Sequence, residues 1–272
     1  MSKVPVTTVT THRRSAAPSR ASAETGSPTA RGAQRALDIF ATFAREHRPL
    51  SISELARLLN IPTSTCHGLV KTLEQCGYLS EIKRARGYYP TGLLLRQAGE
   101  IARYDPIPAF LGPLLEAVRE ETGETVVLGK RVRNRAIYLE VLESSEGLRY
   151  IAKVGDVRPF HATAVGKALL STMSEDERSR VVSQIAYEPL TNRTITSAEK
   201  LLKSVEEGRK RGWFMCDGEY YADICALAVP VNVHGDQYCV IVSGPRDRIH
   251  RNLDRHGQVL KKLKSRIEAG LH

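Results

Sequence analysis

The residue types that could carry chemistry in this chain fall mainly in two short stretches. The first runs Thr63-Ser64-Thr65-Cys66-His67-Gly68 and continues to Lys71. Small hydroxyls, an imidazole and one cation, with no long acidic side chain until Glu74, make a face that can enter a DNA major groove without electrostatic repulsion. A merely solvated polar face is the competing reading of these residues alone. The second stretch is His161-Ala162-Thr163-Ala164-Val165-Gly166-Lys167. Opening a helix, it presents free N–H groups and partial positive charge, which suit a carboxylate. The competing reading is that its small residues serve close helix–sheet packing. Catalysis is not expected. Cys216 and Cys225 with His161 offer a nucleophile and a base, but no GxSxG or HExxH motif supports them.

The first stretch needs a scaffold, and Ser51–Leu73 supplies one. Ser51 and Glu54 have the spacing of a capping box, with Leu50 and Leu55 at the staple positions around it. Ile52, Leu55, Ala56 and Leu59 then share one helical face. Asn60 suits a left-handed stop, and Pro62 the opening of a second helix. In that helix Cys66, Leu69, Val70 and Leu73 repeat the apolar spacing. Gly77-Tyr78-Leu79 ends it. A hairpin follows, with strands at Ser80–Ile82 and Tyr88–Pro90 and a basic tip of Lys83, Arg84 and Arg86. Two helices and a basic hairpin make a winged helix-turn-helix, whose wing can rest on phosphates beside the groove. A preceding helix, Gln34 to Ala44, buries Ala36, Leu37, Ile39, Phe40 and Phe43, with Arg31 and Arg35 at its start. The expected DNA contacts are Arg31, Arg35, Ser51, Thr63, Ser64, Thr65, His67, Lys71, Lys83, Arg84, Arg86 and Tyr88.

Charge agrees with this placement. Residues 1–93 carry 13 Lys and Arg against 6 Asp and Glu; residues 94–272 carry 27 against 24. The excess is concentrated where a nucleic-acid partner requires it. The five cysteines (66, 76, 216, 225 and 239) form no CxxC pair, so neither a disulfide framework nor a metal site is expected, and no cofactor. Cys66 and Cys76 read as small hydrophobes on or near the apolar face of the second helix. No apolar run spans a bilayer and no secretory core opens the chain, so the expected location is cytoplasmic, without a membrane partner.

Four segments follow. Residues 1–28, rich in Ser, Thr, Ala and Pro, are expected to be a disordered basic tail. Residues 29–91 form the winged domain. Residues 92–105 form a linker helix whose leucines pack on the winged domain or on a second copy, ending at Asp105-Pro106. Residues 106–272 read as mixed α/β with a largely antiparallel sheet. There the spacing predicts helices at 107–121, Ala162–Ser171, Ser197–Arg211 and Leu253–Ile267. Strands are predicted at Thr125–Lys130, Ala136–Val141, Arg149–Val154, Trp213–Cys216, Ala226–Val231 and Tyr238–Val242. The fold class is therefore α+β.

The chain resembles the IclR family of bacterial transcriptional regulators. The likeness lies in LSISELARLLNIPTSTCHGLVKTLEQCGYL (Leu50–Leu79) and VGDVRPFHATAVGKALL (Val154–Leu170). Shorter agreements follow in order at LTNRTIT, RGW, AVPV and VSGP. The resemblance implies a winged helix-turn-helix, a linker helix and a GAF-like mixed α/β effector-binding domain, in dimers or dimers of dimers on palindromic operators. Gly68 stands where relatives often carry Arg, so groove contacts fall to its neighbours. The resemblance also implies that Thr163, Ala164 and Val165 touch an effector, with Ser243 at another pocket position. Cys216-Asp217, Asp223, Cys225, Ala226 and Ile241 stand at or beside further such positions and make the site less polar than in members taking tiny oxoacids. His161, Tyr138, Tyr150, Phe160, Tyr220 and Tyr221 are expected around the same cavity. The expected function is an operator-binding repressor or activator controlled by a small carboxylic acid with an apolar or aromatic body. The alternatives are an architectural DNA binder indifferent to metabolites and, further off, an enzyme in the C-terminal domain.

Overall fold

The computed structural model describes residues 28–270. The tail expected over residues 1–28 lies, Pro28 apart, outside them. The described chain divides into two compact units that meet in sequence at Asp105 and Pro106.

The first unit comprises α1 (Pro28–Glu46), α2 (Ile52–Leu59), α3 (Thr63–Gln75), β1 (Leu79–Ile82), β2 (Gly87–Pro90) and α4 (Leu93–Arg103). The capping box forms as its residues predict. Glu54 N–H donates to Ser51 Oγ at 3.2 Å, and Ser51 N–H donates to Glu54 Oε2 at 2.9 Å. That backbone bond, followed by Arg48, holds the Glu54 carboxyl at about 2. Asn60 takes the left-handed conformation (φ 52°) and turns the chain toward α3. Ile39, Phe43, Leu50, Leu55, Cys66, Val70 and Leu79 pack into one core. Leu50 does more than staple a helix. Its N–H donates to the Tyr88 carbonyl at 3.0 Å and its carbonyl accepts from Tyr88 N–H at 2.8 Å, tying the wing to the start of α2. A Cβ at position 87 would lie 2.9 Å from the Leu50 carbonyl carbon, so this close approach needs Gly87. Two expectations fail here. Leu37 is 65% exposed, because α1 turns its Ile39 and Phe43 side inward. Cys76 is exposed at the C-cap of α3, beyond the last inward turn.

The second unit contains α5 (Pro106–Thr122), β3 (Thr125–Val132), β4 (Arg135–Leu142), β5 (Val157–Pro159), α6 (Ala164–Ser171), α7 (Glu175–Ser183) and α8 (Ala198–Arg211). It continues with β6 (Phe214–Asp217), β7 (Ile224–Val233), β8 (Asp236–Pro245), α9 (Arg246–Arg251) and α10 (Leu253–Ala269). One antiparallel sheet in the order β5-β4-β3-β8-β7-β6 carries it. Strand alternation sorts the side chains into two cores. Ala228, Cys239 and Ile241 face α6, α7 and α8, whereas Leu227, Val229, Val240 and Val242 face α5 and α10. The strand expected at Arg149–Val154 is a loop. Its Tyr150 carbonyl accepts from the Thr125 side-chain hydroxyl at the start of β3, at 2.7 Å, rather than from a strand backbone N–H, Ile151 and Val154 stand in solvent, and Gly155 (φ 87°) turns the chain. Backbone bonding to β4 begins at Gly155, whose N–H donates to the Tyr138 carbonyl at 2.8 Å, and β5 starts at Val157.

Candidate DNA-binding face and effector cavity

On α3, Thr63, Ser64 and His67 are exposed and Thr65 is half-buried, while Cys66 and Val70 hold the opposite side in the core. Gly68 has nothing within 4 Å of where a Cβ would stand. Lys83, Arg84 and Arg86 are exposed at the wing tip, where Arg86 adopts the left-handed conformation (φ 48°). Arg31 is exposed and Arg35 half-buried on α1. Three named residues are committed elsewhere. Tyr88 is a core residue at 7% exposure, because its strand position turns the ring inward. The Ser51 hydroxyl is spent on Glu54. Lys71 pairs with Glu74 at 2.7 Å and lies 5.3 Å from the centre of the Tyr88 ring. The Glu74 hydrogen bond, then that of Tyr88, raises its pKa, so its charge is already shared within the unit.

In the second unit, α6 begins at Thr163, whose hydroxyl accepts from Gly166 N–H at 3.2 Å and donates to the Pro159 carbonyl at 2.6 Å. A Cβ on Gly166 would overlap the Phe160 backbone, so the glycine lets the helix lie directly on the segment that precedes it. Deeper in, Lys167 is 1% exposed and its Nζ donates to Glu219 Oε1 at 2.5 Å and to the Met215 carbonyl at 2.8 Å. This pair fixes α6 to the end of β6.

The first turn of α6 forms one wall of a small cavity of about 30 Å³. Thr163, Ala164 and Val165 line that wall. Cys216, Ala226 and Ser243 stand side by side across β6, β7 and β8 and form the floor with Ile241. Tyr138, Tyr150, Tyr220 and Tyr221 enclose it, Tyr221 being 40% exposed. Burial pushes the Tyr221 hydroxyl up to about 12 and raises Tyr138 well above the ordinary phenol value. Burial also pushes the Cys216 thiol up to about 12, and it donates to the Ala162 carbonyl at 3.1 Å. This thiol is a packed donor, not a thiolate nucleophile.

Five residues expected around the cavity lie off it. Cys225 faces the α5–α10 core, since strand alternation cannot put it on the same side as Ala226. Phe160 packs in the core, its backbone beneath Gly166. His161 is buried at 2% exposure with Nε2 3.0 Å from the Glu188 carbonyl and its ring edge-on to Tyr187. Burial lowers its pKa. Asp217 points toward α9, with Oδ1 2.7 Å from Arg246 Nε and 2.8 Å from His250 Nε2. Burial alone would raise this carboxyl, but Arg246 and His250 outweigh it and leave it lowered. Asp223 is exposed and contributes its carbonyl, which accepts from Arg246 N–H at 2.8 Å.

Sequence reasoning missed two lining residues, Ile224 and Arg158. Ile224 is signalled by lying two positions before Ala226 on the same strand face. Arg158 is the one charged residue on the cavity wall, 4% exposed on β5. Its signal was the one arginine in the otherwise mostly apolar segment from Val157 to Val165.

The comparisons agree with this architecture. The family model described as bacterial transcriptional regulator IclR C-terminal matches residues 102–269, and the IclR helix-turn-helix domain matches residues 32–82. The chain is 30% identical over 200 residues to the HTH-type transcriptional regulator KipR of Bacillus subtilis (strain 168), covering 72% of this chain and 79% of that protein. An IclR transcriptional regulator from Alicyclobacillus acidocaldarius superposes with a TM-score of 0.75 at 25% identity, covering 88% of this chain and 98% of that one. An IclR homolog from Microbacterium hydrocarbonoxydans, solved in complex with 4-hydroxybenzoate, gives 0.73 at 22% identity, covering 88% and 98%. Such relatives are regulators, not enzymes, and among the described residues no helix is long and apolar enough to cross a membrane. The chain belongs to the IclR family of DNA-binding transcriptional regulators.

Proposed function

We propose that this regulator binds palindromic operator DNA in the cytoplasm through α3 and the wing, as a dimer or a dimer of dimers. A small organic acid with an apolar or aromatic body controls that binding from the cavity beside α6. The observation that carries this reading is the cavity itself: the positive end of a helix forms one wall, and tyrosines and aliphatic side chains form the rest. The 4-hydroxybenzoate held by the Microbacterium hydrocarbonoxydans protein supports an aromatic acid. On α4, Leu95, Ile101 and Tyr104 are 79%, 75% and 74% exposed, which supports pairing with a second copy.

The test is fluorescence anisotropy on the promoter DNA flanking its own gene at fixed salt, with and without aromatic and short-chain acids. A coupling of roughly 1–3 kcal/mol changes operator affinity about 5- to 150-fold. The expected result is specific binding that one aromatic acid shifts within that range. Specific binding that no acid shifts would remove the effector and leave the DNA-binding regulator.

A further inference from the structure

We propose that Arg158 is the anion-recognition residue of the cavity and that the effector is an aryl carboxylate whose acid group pairs with it. This rests on the reading that the cavity takes an organic acid, and it names the residue and the ligand class.

A buried guanidinium is costly unless its charge and its donors are met. Arg158 is only partly met. Nη2 donates to Asp156 Oδ2 at 2.6 Å and lies 3.3 Å from the Tyr150 hydroxyl. Nη1 reaches only the carbonyl of the adjacent Val157, at 3.4 Å. Nε is buried and finds no acceptor among the described residues. A guanidinium has five N–H donors, so this one keeps unspent capacity while lining a cavity.

The surroundings orient that capacity. The guanidinium carbon lies 5.1 Å from the centre of the Tyr138 ring and 5.0 Å from that of Tyr220. Such cation–π contacts hold the cation without using its N–H groups. The donors in the guanidinium plane are the match for a planar carboxylate, which a point-like ammonium would not reproduce. At the α6 terminus one N–H, that of Gly166, is already taken by the Thr163 hydroxyl. An aryl body follows from the remaining wall, where Tyr150, Tyr221, Val165 and Ile241 offer flat and aliphatic surface. At about 30 Å³ the cavity is far below the roughly 300–1,000 Å³ of an ordinary small-molecule site, so a ring enters only as side chains at the exposed Tyr221 move aside.

The experiment titrates the full-length protein calorimetrically with benzoate, its neutral counterpart benzamide, and pyruvate. Wild type is compared with Arg158→Gln and Arg158→Lys. The expected result is that wild type binds benzoate at least tenfold more tightly than benzamide or pyruvate. Arg158→Gln loses the preference over benzamide, its benzoate affinity falling about 10- to 100-fold, the scale of one charged hydrogen-bonding partner. Arg158→Lys, which keeps the charge without the planar fork, falls between. Equal benzoate binding by wild type and Arg158→Gln overturns the inference and leaves the organic-acid reading standing. Tighter binding of pyruvate overturns the aryl assignment. Wild type that binds none of the acids overturns both. Should Arg158→Gln fail to fold, a wild-type benzoate-to-benzamide ratio near one, or undiminished benzoate binding by Arg158→Lys, is the overturning result.

Discussion

Gly68 on α3 and Gly166 in the first turn of α6 are both helical glycines, and they are there for opposite reasons. Around Gly68 there is open space, on the side of α3 turned away from its core. Around Gly166 there is no space at all, since the Phe160 backbone fills the position of a side chain. One helix leaves a face exposed; the other is pressed against its own unit from its first turn onward. A small residue in a helix thus has two readings, outward availability or inward closeness, and the neighbours in space decide between them.

Substitution separates the two most sharply. Gly166→Ala forces α6 off the Phe160 segment and is expected to cost about 3 kcal/mol, the upper part of the usual range for overpacking. Urea unfolding followed in the isolated second unit, or in the whole protein if that unit does not fold alone, reads it. Gly68→Ala meets nothing and replaces a poor helix former, so it should stabilise the winged unit by up to about 1 kcal/mol. If both substitutions destabilise alike, the contrast fails. Ser51→Ala gives a local standard for the same unit, because loss of the cap should cost about 1 kcal/mol and cancel the gain when combined with Gly68→Ala.

The proposed DNA face yields a smaller but diagnostic effect. Arg84 is exposed at the wing tip, whereas Lys71 is shared with Glu74 and Tyr88. Arg84→Ala should reduce the salt dependence of DNA binding by about one unit of log–log slope, and Lys71→Ala by clearly less. Equal reductions, measured by anisotropy across a salt series, would show that Lys71 leaves Glu74 for a phosphate. The smallest effect is that of pH on the second unit. Burial lowers the pKa of His161, so the folded state resists a proton that the unfolded chain accepts. Above about 6.5 both states are neutral there, and stability is lost as pH falls below that value. Wild type should therefore lose stability more steeply than His161→Gln between pH 7.5 and 5.

The winged unit was legible because its signals are local. Ser51 and Glu54 make their capping box within four residues, Asn60 turns the chain where it stands, and Cys66 and Val70 share a face fixed by helical period alone. The cavity is assembled from remote segments, and three physical facts were hidden in the sequence. Whether Cys225 or Ala226 faces the cavity depends on strand register, which no local pattern states. Arg149–Val154 has strand-like composition but forms no backbone ladder, touching β3 only through the Thr125 hydroxyl. Asp217 and Arg158 are both charges in apolar stretches, and only tertiary placement shows that one turns to α9 and the other to the cavity.

The pair of Lys167 and Glu219 constrains how this chain can change over evolutionary time. The two groups lie 52 positions apart, yet both are buried and Lys167 Nζ pairs with Glu219 Oε1, leaving Glu219 Oε2 without a hydrogen-bond partner among the described residues. Losing either alone strands a charge in the interior at a cost of about 3–5 kcal/mol, whereas replacing both with apolar residues of similar volume can be nearly neutral. A typical domain has only about 5–15 kcal/mol of stability in hand. Going from the ionic pair to an apolar one by single substitutions therefore crosses a strongly destabilised intermediate, so the two positions are expected to change together.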